Sequence, residues 1–288
     1  MRHHLYSTFN NFLIPPQEFN KYSPRTRLQY ALGATLYMPA SKDFLQGIIQ
    51  RKYPGLTSMV MCFEDSIAES EVPSAEVNVI NLLDELSSQI EKGLISQDDI
   101  PLIFFRVRNY EQFKVFSAKL KPKYAKVFTG FVFPKFSAEE GILYLNHLKQ
   151  LNDELGEIIY GMPILESKKI IYKETRTNEL IEIGNLLRKY NDLILNVRVG
   201  ATDFSSSFGV RRGIDYSIYD IMTVRGCLSD ILNFFGREEE DFVISAPVWE
   251  YFSVNKNIDF SRVLKSDFQS FLYRGAPIVD KAIDGLLR

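Results

Sequence analysis

Two acidic residues that end consecutive apolar runs are the first candidates for chemistry in this chain. Glu166 lies in the segment MPILES, and Asp203 lies in the segment VGATDF. Mg²⁺ takes one or two carboxylates and completes its octahedron with water and substrate oxygens. Each acid taken alone has a structural alternative, because a carboxylate at this position also caps the following helix. As a pair on neighbouring strands, Glu166 and Asp203 favour a divalent-cation site.

Charged side chains also follow three earlier apolar runs: the pair Glu64-Asp65, then Arg106 with Arg108, then Lys135. The planar guanidinium of Arg106 matches a substrate carboxylate, and its alternative is an ion pair with an acid of a neighbouring strand such as Glu64. Arg108 shares a strand face with Arg106, since side chains alternate along a strand. Lys135 is a second candidate for an anionic group, with an exposed loop lysine as the alternative.

Several other chemistries are excluded by residue type. There is no Walker A loop, G-x-G-x-x-G, H-E-x-x-H, C-x-x-C or G-x-S-x-G sequence. The histidines, His3, His4 and His147, do not form a triad or zinc pattern, and Cys62 and Cys227 lie in apolar segments typical of buried thiols. The remaining chemistry belongs to carboxylates, arginine, lysine and a hard cation.

Charge and hydropathy limit the partners. Lys plus Arg number 34 and Asp plus Glu 36, so the net charge of −2 does not suit nucleic-acid binding. No run approaches the ~18 apolar residues of a membrane span, and no signal-peptide core is found. We therefore expect a cytoplasmic protein without a membrane or nucleic-acid partner.

Short apolar runs alternate with amphipathic segments, as expected for βα units around a parallel sheet. A chain of 288 residues fits one large α/β barrel, with an open α/β sheet as the competing fold. Helices are predicted at 42–52, 74–92, 111–120, 138–155, 177–190, 219–235 and 260–273. Strands are predicted at 35–38, 58–63, 102–107, 130–133, 158–164, 193–199 and 242–245.

A (β/α)8 barrel is favoured because most of the predicted strands deliver a polar group at their carboxyl ends, where the chemistry of this fold lies. Residues 1–30 are predicted to be an irregular arm that packs by Phe9, Phe12 and Tyr22, and residues 31–288 to form the barrel domain. Only seven strands are predicted, so the eighth is missing. Because unpaired edges are rarely tolerated, the arm or a segment exchanged with a partner subunit should close the gap, unless the chain is truncated.

Six ordered strand-end motifs resemble those of the HpcH/HpaI aldolase and citrate lyase beta-subunit superfamily, in particular its divergent citrate-lyase-like carbon–carbon bond lyase branch. The likeness covers about residues 31–245 and lies in the ordered set. The motifs are Leu36-Tyr37-Met38-Pro39-Ala40, Cys62-Phe63-Glu64-Asp65, Phe105-Arg106-Val107-Arg108, Phe133-Pro134-Lys135, Ile164-Leu165-Glu166 and Gly200-Ala201-Thr202-Asp203-Phe204.

The resemblance implies a TIM-barrel enzyme that uses Mg²⁺, or Mn²⁺, to make or break a carbon–carbon bond between a 2-oxo acid and an acyl enolate, often that of a CoA thioester. It implies Glu166 and Asp203 as metal ligands, Arg106 as the ligand of the oxo-acid carboxylate, and Glu64 with Asp65 lining the site. We further expect a homo-oligomer.

Departures from the family pattern support a second hypothesis. Cys62 stands where an acidic residue is usual, and Gly33-Ala34 replaces an Arg-Ser pair. A catalytically reduced barrel that binds an anionic metabolite as a sensor or assembly component is therefore the alternative. A third hypothesis is an enolate enzyme that binds a substrate phosphate through Lys135 and Arg211 or Arg212. An internal pair of Arg198 with Glu166 would compete with metal binding.

Overall fold

Seven parallel strands run in chain order through one sheet in the computed structural model, which describes residues 17–53, 55–210 and 217–247. The sheet curls into an incomplete TIM-type barrel, which confirms the predicted fold class. The strands are β1 (Leu36–Pro39), β2 (Ser58–Cys62), β3 (Leu102–Arg106), β4 (Gly130–Phe133), β5 (Tyr160–Leu165), β6 (Val197–Val199) and β7 (Ile244–Ser245).

Helices connect successive strands, as a parallel sheet requires. None of the helices in the described ranges is long and apolar enough to cross a membrane. The helices are α1 (Arg25–Ala31), α2 (Leu45–Ile49), α3 (Val72–Glu91), α4 (Tyr110–Ser117), α5 (Pro122–Ala125), α6 (Ala138–Leu155), α7 (Lys168–Ile171), α8 (Lys173–Lys189), α9 (Ala201–Ser206) and α10 (Met222–Phe235).

Helix α6 shows how local sequence sets an element. The Ser137 side chain accepts a hydrogen bond from the Glu140 amide and caps the first turn. Gly156 ends the helix with a left-handed φ of 67°, which glycine adopts without steric cost. Both ends agree with the predicted 138–155 helix.

Two apolar layers follow from the alternation of side chains along the strands. On β3, Ile103 and Phe105 belong to the large core between sheet and helices, whereas Leu102 and Phe104 belong to a smaller cluster inside the barrel. Because all five side chains of β3 are buried, Arg106 must also be buried at the strand's carboxyl end. The inner cluster leaves that end of the barrel to polar residues.

The segment before β1 is more regular than predicted, because Arg25–Ala31 form helix α1. Phe19 and Leu28 bury their side chains in the inner cluster, so the segment fills the amino end of the barrel. Tyr22 is 53% exposed and does not anchor it, contrary to the prediction. Phe9 and Phe12 lie outside the described residues.

Strand β6 is shorter than the predicted 193–199 strand, because Asn191–Leu193 form a 3-10 turn. Helix α1 packs beside this region: Arg25 Nη1 donates to the Ile194 carbonyl at 3.0 Å, and Gln29 donates to the Asp241 carbonyl at 3.1 Å. Helix α1 therefore packs against the sixth and seventh segments, and closure of the gap by the arm stays a prediction. The predicted 260–273 helix lies outside the described residues.

Candidate active site

Charged side chains meet at the carboxyl ends of β2 to β5. Arg106 is the last residue of β3, and Glu64 and Glu166 follow β2 and β5 within two residues. The residue before each charged group belongs to the outer core: Phe63 before Glu64, Phe105 before Arg106 and Leu165 before Glu166. The charged side chains therefore point to the barrel interior.

Arg106 contacts three carboxylates. Its Nη2 lies 2.5 Å from Glu64 Oε2 and 3.1 Å from Glu166 Oε1, and its Nη1 lies 2.9 Å from Asp65 Oδ2. Burial lowers the pKa of Arg106, but the charges of Glu166 and Glu64 outweigh it, so the pKa is raised. The guanidinium is permanently charged, and the predicted alternative of an ion pair with Glu64 is observed.

Lys135 brings two donors to the same cluster. Its amide donates to Glu166 Oε1 at 2.9 Å, and its ammonium donates to Glu64 Oε1 at 2.6 Å. Lys135 reaches both acids with a φ of 48°, a left-handed conformation that is unfavourable for a residue with a side chain. The Glu64 hydrogen bond raises the pKa of Lys135.

The pKa values of Glu64 and Glu166 are raised. Burial raises the pKa of Glu64, although Arg106 opposes the shift. Burial also raises the pKa of Glu166 to about 7, and the charge of Asp203 adds to the effect while Arg106 opposes it. Asp203 stands in the first turn of α9, three residues after Gly200, whose backbone approaches the Glu166 carboxylate.

Gly200 allows the sixth segment to approach Glu166 closely. A Cβ at this position would lie 2.0 Å from Glu166 Oε2 and 2.6 Å from Glu166 Cβ. Any side chain here would displace the carboxylate. The glycine of the VGATDF segment is therefore required because no side chain fits between this backbone and Glu166.

The cluster suits a divalent cation. Within the described ranges, no group of three or more His, Cys, Asp or Glu side chains could enclose a metal ion. Mg²⁺ needs fewer, since water and substrate oxygens complete its shell. Glu166 Oε1 accepts two hydrogen bonds, whereas no residue of the described ranges donates to Oε2. A cation at Oε2 and Asp203 would offset the burial and repulsion that raise the pKa of Glu166.

Arg108 is occupied by the backbone. Its Nη1 donates to the carbonyls of Phe63 and Glu64 at 3.0 Å and of Ile67 at 3.3 Å. These bonds hold the loop that carries Glu64 and Asp65. The predicted contact of Arg108 with substrate stays a prediction. Its hydrogen bonds to the loop carbonyls have no signal in the sequence pattern.

The contacts of Arg198 are with Tyr37 and Met162, so the competing pair with Glu166 that the sequence left open is not formed. Its guanidinium lies over the Tyr37 ring, 5.4 Å from the centroid, and its Nη1 lies 4.0 Å from Met162 Sδ. The pair fails because Arg198 precedes Gly200 by two residues and lies deeper in the barrel. Arg211 and Arg212 lie outside the described residues.

The two positions that depart from the family pattern differ in burial, because Cys62 is buried and Gly33 is exposed. Cys62 is buried next to Arg106 in the β2–β3 register. Gly33 has a φ of 60°, and a Cβ there would lie 2.6 Å from Thr57 Oγ1, so the turn before β1 requires glycine.

Comparison with known proteins places the chain among relatives of known fold. A family model described as a carbon–carbon bond lyase of the TIM-barrel fold matches residues 26–286. No curated protein sequence matches the chain.

Solved structures with similar barrels are distant in sequence. A HpcH/HpaI aldolase/citrate lyase family protein from Burkholderia cenocepacia J2315 is 11% identical, with a TM-score of 0.51 over 76% of this chain and 82% of that chain. The Haloferax volcanii malate synthase in complex with pyruvate and acetyl-CoA is 15% identical, with a TM-score of 0.50 over 71% of this chain and 57% of that chain. The citrate lyase beta subunit of M. tuberculosis, complexed with oxaloacetate and magnesium, is 16% identical, with a TM-score of 0.46 over 74% and 78%. At these identities, the likeness with the first two supports the barrel fold only.

Proposed function

The chain belongs to the carbon–carbon bond lyase family of the TIM-barrel fold, and from this premise we propose that its barrel mouth cleaves or forms a bond between a 2-oxo acid and an acyl enolate with Mg²⁺ or Mn²⁺. The observation that carries the proposal is the buried cluster of Arg106, Glu64 and Glu166 at the carboxyl ends of the strands. Buried acids with raised pKa values in a barrel mouth are typical of catalytic sites.

Glu166 and Asp203 are the proposed ligands. When bound, the cation would polarise the oxo group and stabilise negative charge that develops on its oxygen. The protein's part is to fix the ligands: Arg106 and the Lys135 amide both hold Glu166 Oε1. The opposite oxygen, Oε2, lies close to Gly200, three residues before Asp203.

Asp65 is the proposed proton carrier. Its side chain is 61% exposed, while Arg106 holds its Oδ2 at 2.9 Å. An oriented, solvated carboxylate can take the hydroxyl proton of a hydroxy acid as the carbon–carbon bond breaks. Glu64 is fixed by both Arg106 and Lys135, so its proposed role is to position these two cations.

The proposed substrates are a small 2-oxo acid and a hydroxy-acyl compound, with a CoA thioester as the first acyl form to test. The Haloferax malate synthase holds pyruvate and acetyl-CoA, which makes these two compounds reasonable starting probes. A homo-oligomer is a further expectation, and sedimentation velocity measures it directly.

Metal dependence of thermal stability tests the ligand assignment. Mg²⁺ or Mn²⁺ should raise Tm in the wild-type protein, and the double variant Glu166→Ala/Asp203→Ala should lose this shift. A matched double variant, Glu111→Ala/Glu139→Ala, removes two acids that are 75% and 80% exposed and should keep it. An equal shift in all three proteins would refute the two ligands.

A catalytically reduced barrel that binds an anionic metabolite is the second candidate. Arg106 is engaged by three carboxylates, which is one reason to consider a mouth that binds without turnover. Incubation with Mg²⁺ and a panel of 3-hydroxyacyl thioesters and free hydroxy acids separates the two. Cleavage products in mass spectra support the lyase, and binding without product on every compound supports the sensor.

A further inference from the structure

The two cations that hold Glu64 differ in exposure. The Lys135 ammonium donates to Glu64 Oε1 at 2.6 Å from a side chain that is 58% exposed, whereas the Arg106 side chain is 10% exposed. The Glu64 side chain between them is only 7% exposed. A buried acid is therefore shared by one cation that the barrel encloses and one that reaches solvent.

Lys135 also contacts a proposed cation ligand through its backbone. Its amide donates to Glu166 Oε1 at 2.9 Å, so the ammonium stands no more than a lysine side chain away from the amide that binds Glu166. Arg106 Nη2 joins the two acids, at 2.5 Å from Glu64 Oε2 and 3.1 Å from Glu166 Oε1. The ammonium, the guanidinium and the two buried carboxylates therefore form one cluster.

A divalent cation at Glu166 would meet the positive charge of this ammonium. Like charges at such short separations repel, and the repulsion grows where protein replaces water.

The two cations of the cluster differ in how easily they can yield. Arg106 is enclosed and contacts three carboxylates, so its displacement would leave buried charges unpaired. The Lys135 side chain is mostly exposed, and an ion pair with an exposed partner contributes little, because the released ammonium regains water. Lys135 is therefore the cation that a divalent ion can displace from the mouth.

We propose that the Lys135 ammonium is a resident counter-ion that competes with the divalent cation for the acidic mouth. The inference rests on the proposed function and deepens it by naming the residue that limits the cation affinity of the site. In the cation-free protein, the ammonium offsets part of the charge of the buried Glu64 carboxylate. When the cation binds at Glu166, the ammonium leaves Glu64 and turns to solvent.

Binding of Mn²⁺ tests the competition, with the free ion measured by electron paramagnetic resonance at low ionic strength. Lys135→Met removes the ammonium and keeps the amide that binds Glu166. It should therefore bind Mn²⁺ roughly threefold to thirtyfold more tightly than the wild-type protein. Lys135→Gln is a second neutral variant and should show the same gain. Lys135→Arg keeps the charge and should bind Mn²⁺ as the wild-type protein does.

Lys123→Met is the matched control. Lys123 Nζ lies 2.6 Å from Asp84 Oδ1, the same distance as in the Lys135 pair, but Lys123 precedes β4 and so lies toward the amino end of the barrel. Its loss should leave the Mn²⁺ affinity unchanged. An equal gain in Lys123→Met would assign the effect to the net charge of the protein and overturn the inference.

The outcomes separate this inference from the proposed function. If the wild-type protein binds Mn²⁺ and the neutral variants bind it equally or more weakly, the inference is overturned and the lyase proposal stands. A gain in Lys135→Arg as large as that in Lys135→Met also overturns it, since charge is then not the cause. If neither the wild-type protein nor the neutral variants bind Mn²⁺, both proposals fail. Tighter binding in the neutral variants alone, with a larger Mn²⁺-induced rise in Tm, supports the competition.

Discussion

Arg106 and Arg176 are both 8% exposed, but their partners differ. Arg106 lies in the barrel mouth and contacts three carboxylates, two of them buried. Arg176 lies in α8 outside the barrel and donates to the carbonyls of Ile170 and Ile171 and to Asp230, which is half-exposed. The Arg106 guanidinium brings three carboxylates together, whereas the Arg176 guanidinium mainly donates to backbone carbonyls.

This difference separates a chemical role from a structural one. A buried carbonyl costs little when it accepts a hydrogen bond. Arg176 therefore holds α7 and α10 against α8 without bringing buried carboxylates together. The two buried acids around Arg106, Glu64 and Glu166, keep raised pKa values despite its charge. Buried acids with raised pKa values are typical of functional sites, whereas the partners of Arg176 are two backbone carbonyls and one half-exposed acid.

Arg106→Met should have the largest effect on stability. It leaves Glu64 and Glu166, with side chains 7% and 2% exposed, without the guanidinium. Breaking a buried pair in this way costs about 3–5 kcal/mol. The free energy of unfolding from urea titrations at pH 8 should show this loss. At pH 5 the loss should be smaller, because the abandoned carboxyls can take up protons.

The pH dependence of Arg106→Met distinguishes charge from packing. A loss that is equal at pH 5 and pH 8 would mean that the arginine acts by filling space, as its alkyl chain also could. Mg²⁺ at pH 8 should restore part of the stability if Glu166 binds the cation.

Glu166 should make the stability of the apoprotein depend on pH. Burial raises its pKa to about 7 in the folded protein, above the ordinary value that the unfolded chain retains. The folded state therefore binds the proton more tightly, and stability is lost as pH rises from about 4.5 to 7. At ~1.4 kcal/mol for each pH unit, the loss is about 3 kcal/mol.

Glu166→Gln removes this titration and should reduce the loss of stability between pH 4.5 and pH 8 in urea titrations without divalent cations, while the raised pKa of Glu64 keeps a smaller slope. Glu139→Gln, at a position 80% exposed, is the control and should keep the wild-type slope. Equal slopes in the wild-type protein and in Glu166→Gln would contradict the buried, raised-pKa carboxyl.

The regular elements were predictable from local sequence where the signals agree. Helix α6 has Ser137 and Gly156 at its ends, and β4 is an apolar run that begins at Gly130, so both match their predicted bounds. Helix α1 was missed, because prolines and scattered aromatics conceal a seven-residue helix. The predicted start of the sixth strand at residue 193 is wrong. The Asn191–Leu193 turn that replaces it depends on tertiary packing.

The candidate site was predictable in its membership but not in its contacts. The position of Glu64 and Arg106 at neighbouring strand ends predicts their proximity, since parallel strands end at one edge. The Lys135 amide bond to Glu166 depends on a left-handed backbone that no motif announces. The carbonyls that occupy Arg108 depend on the path of a loop, which residue types do not encode.

Arg176→Met tests the structural half of the comparison. It removes the donors to the Ile170 and Ile171 carbonyls and should cost about 2 kcal/mol of unfolding free energy. The Asp230 ion pair adds little, because the acid is 47% exposed. The loss should be the same at pH 5 and pH 8, and the Mg²⁺-induced rise in Tm should survive. If the loss of unfolding free energy in Arg176→Met depended on pH, Arg176 and Arg106 would not differ in the way proposed.

The smallest effect is expected from the backbone of Lys135. A left-handed conformation costs a residue with a Cβ roughly 1 kcal/mol, so Lys135→Gly should be more stable than Lys135→Ala by about that amount. Both variants lose the ammonium, and their difference isolates the strain. Arg51, with a φ of 50° and no contact with the mouth, should give the same difference between Gly and Ala. If the strain at Lys135 serves the site, Lys135→Gly should lose the Mg²⁺ response more than Lys135→Ala does, because a flexible amide no longer holds Glu166 Oε1. Equal responses would assign the strain at Lys135 to the turn alone, as at Arg51.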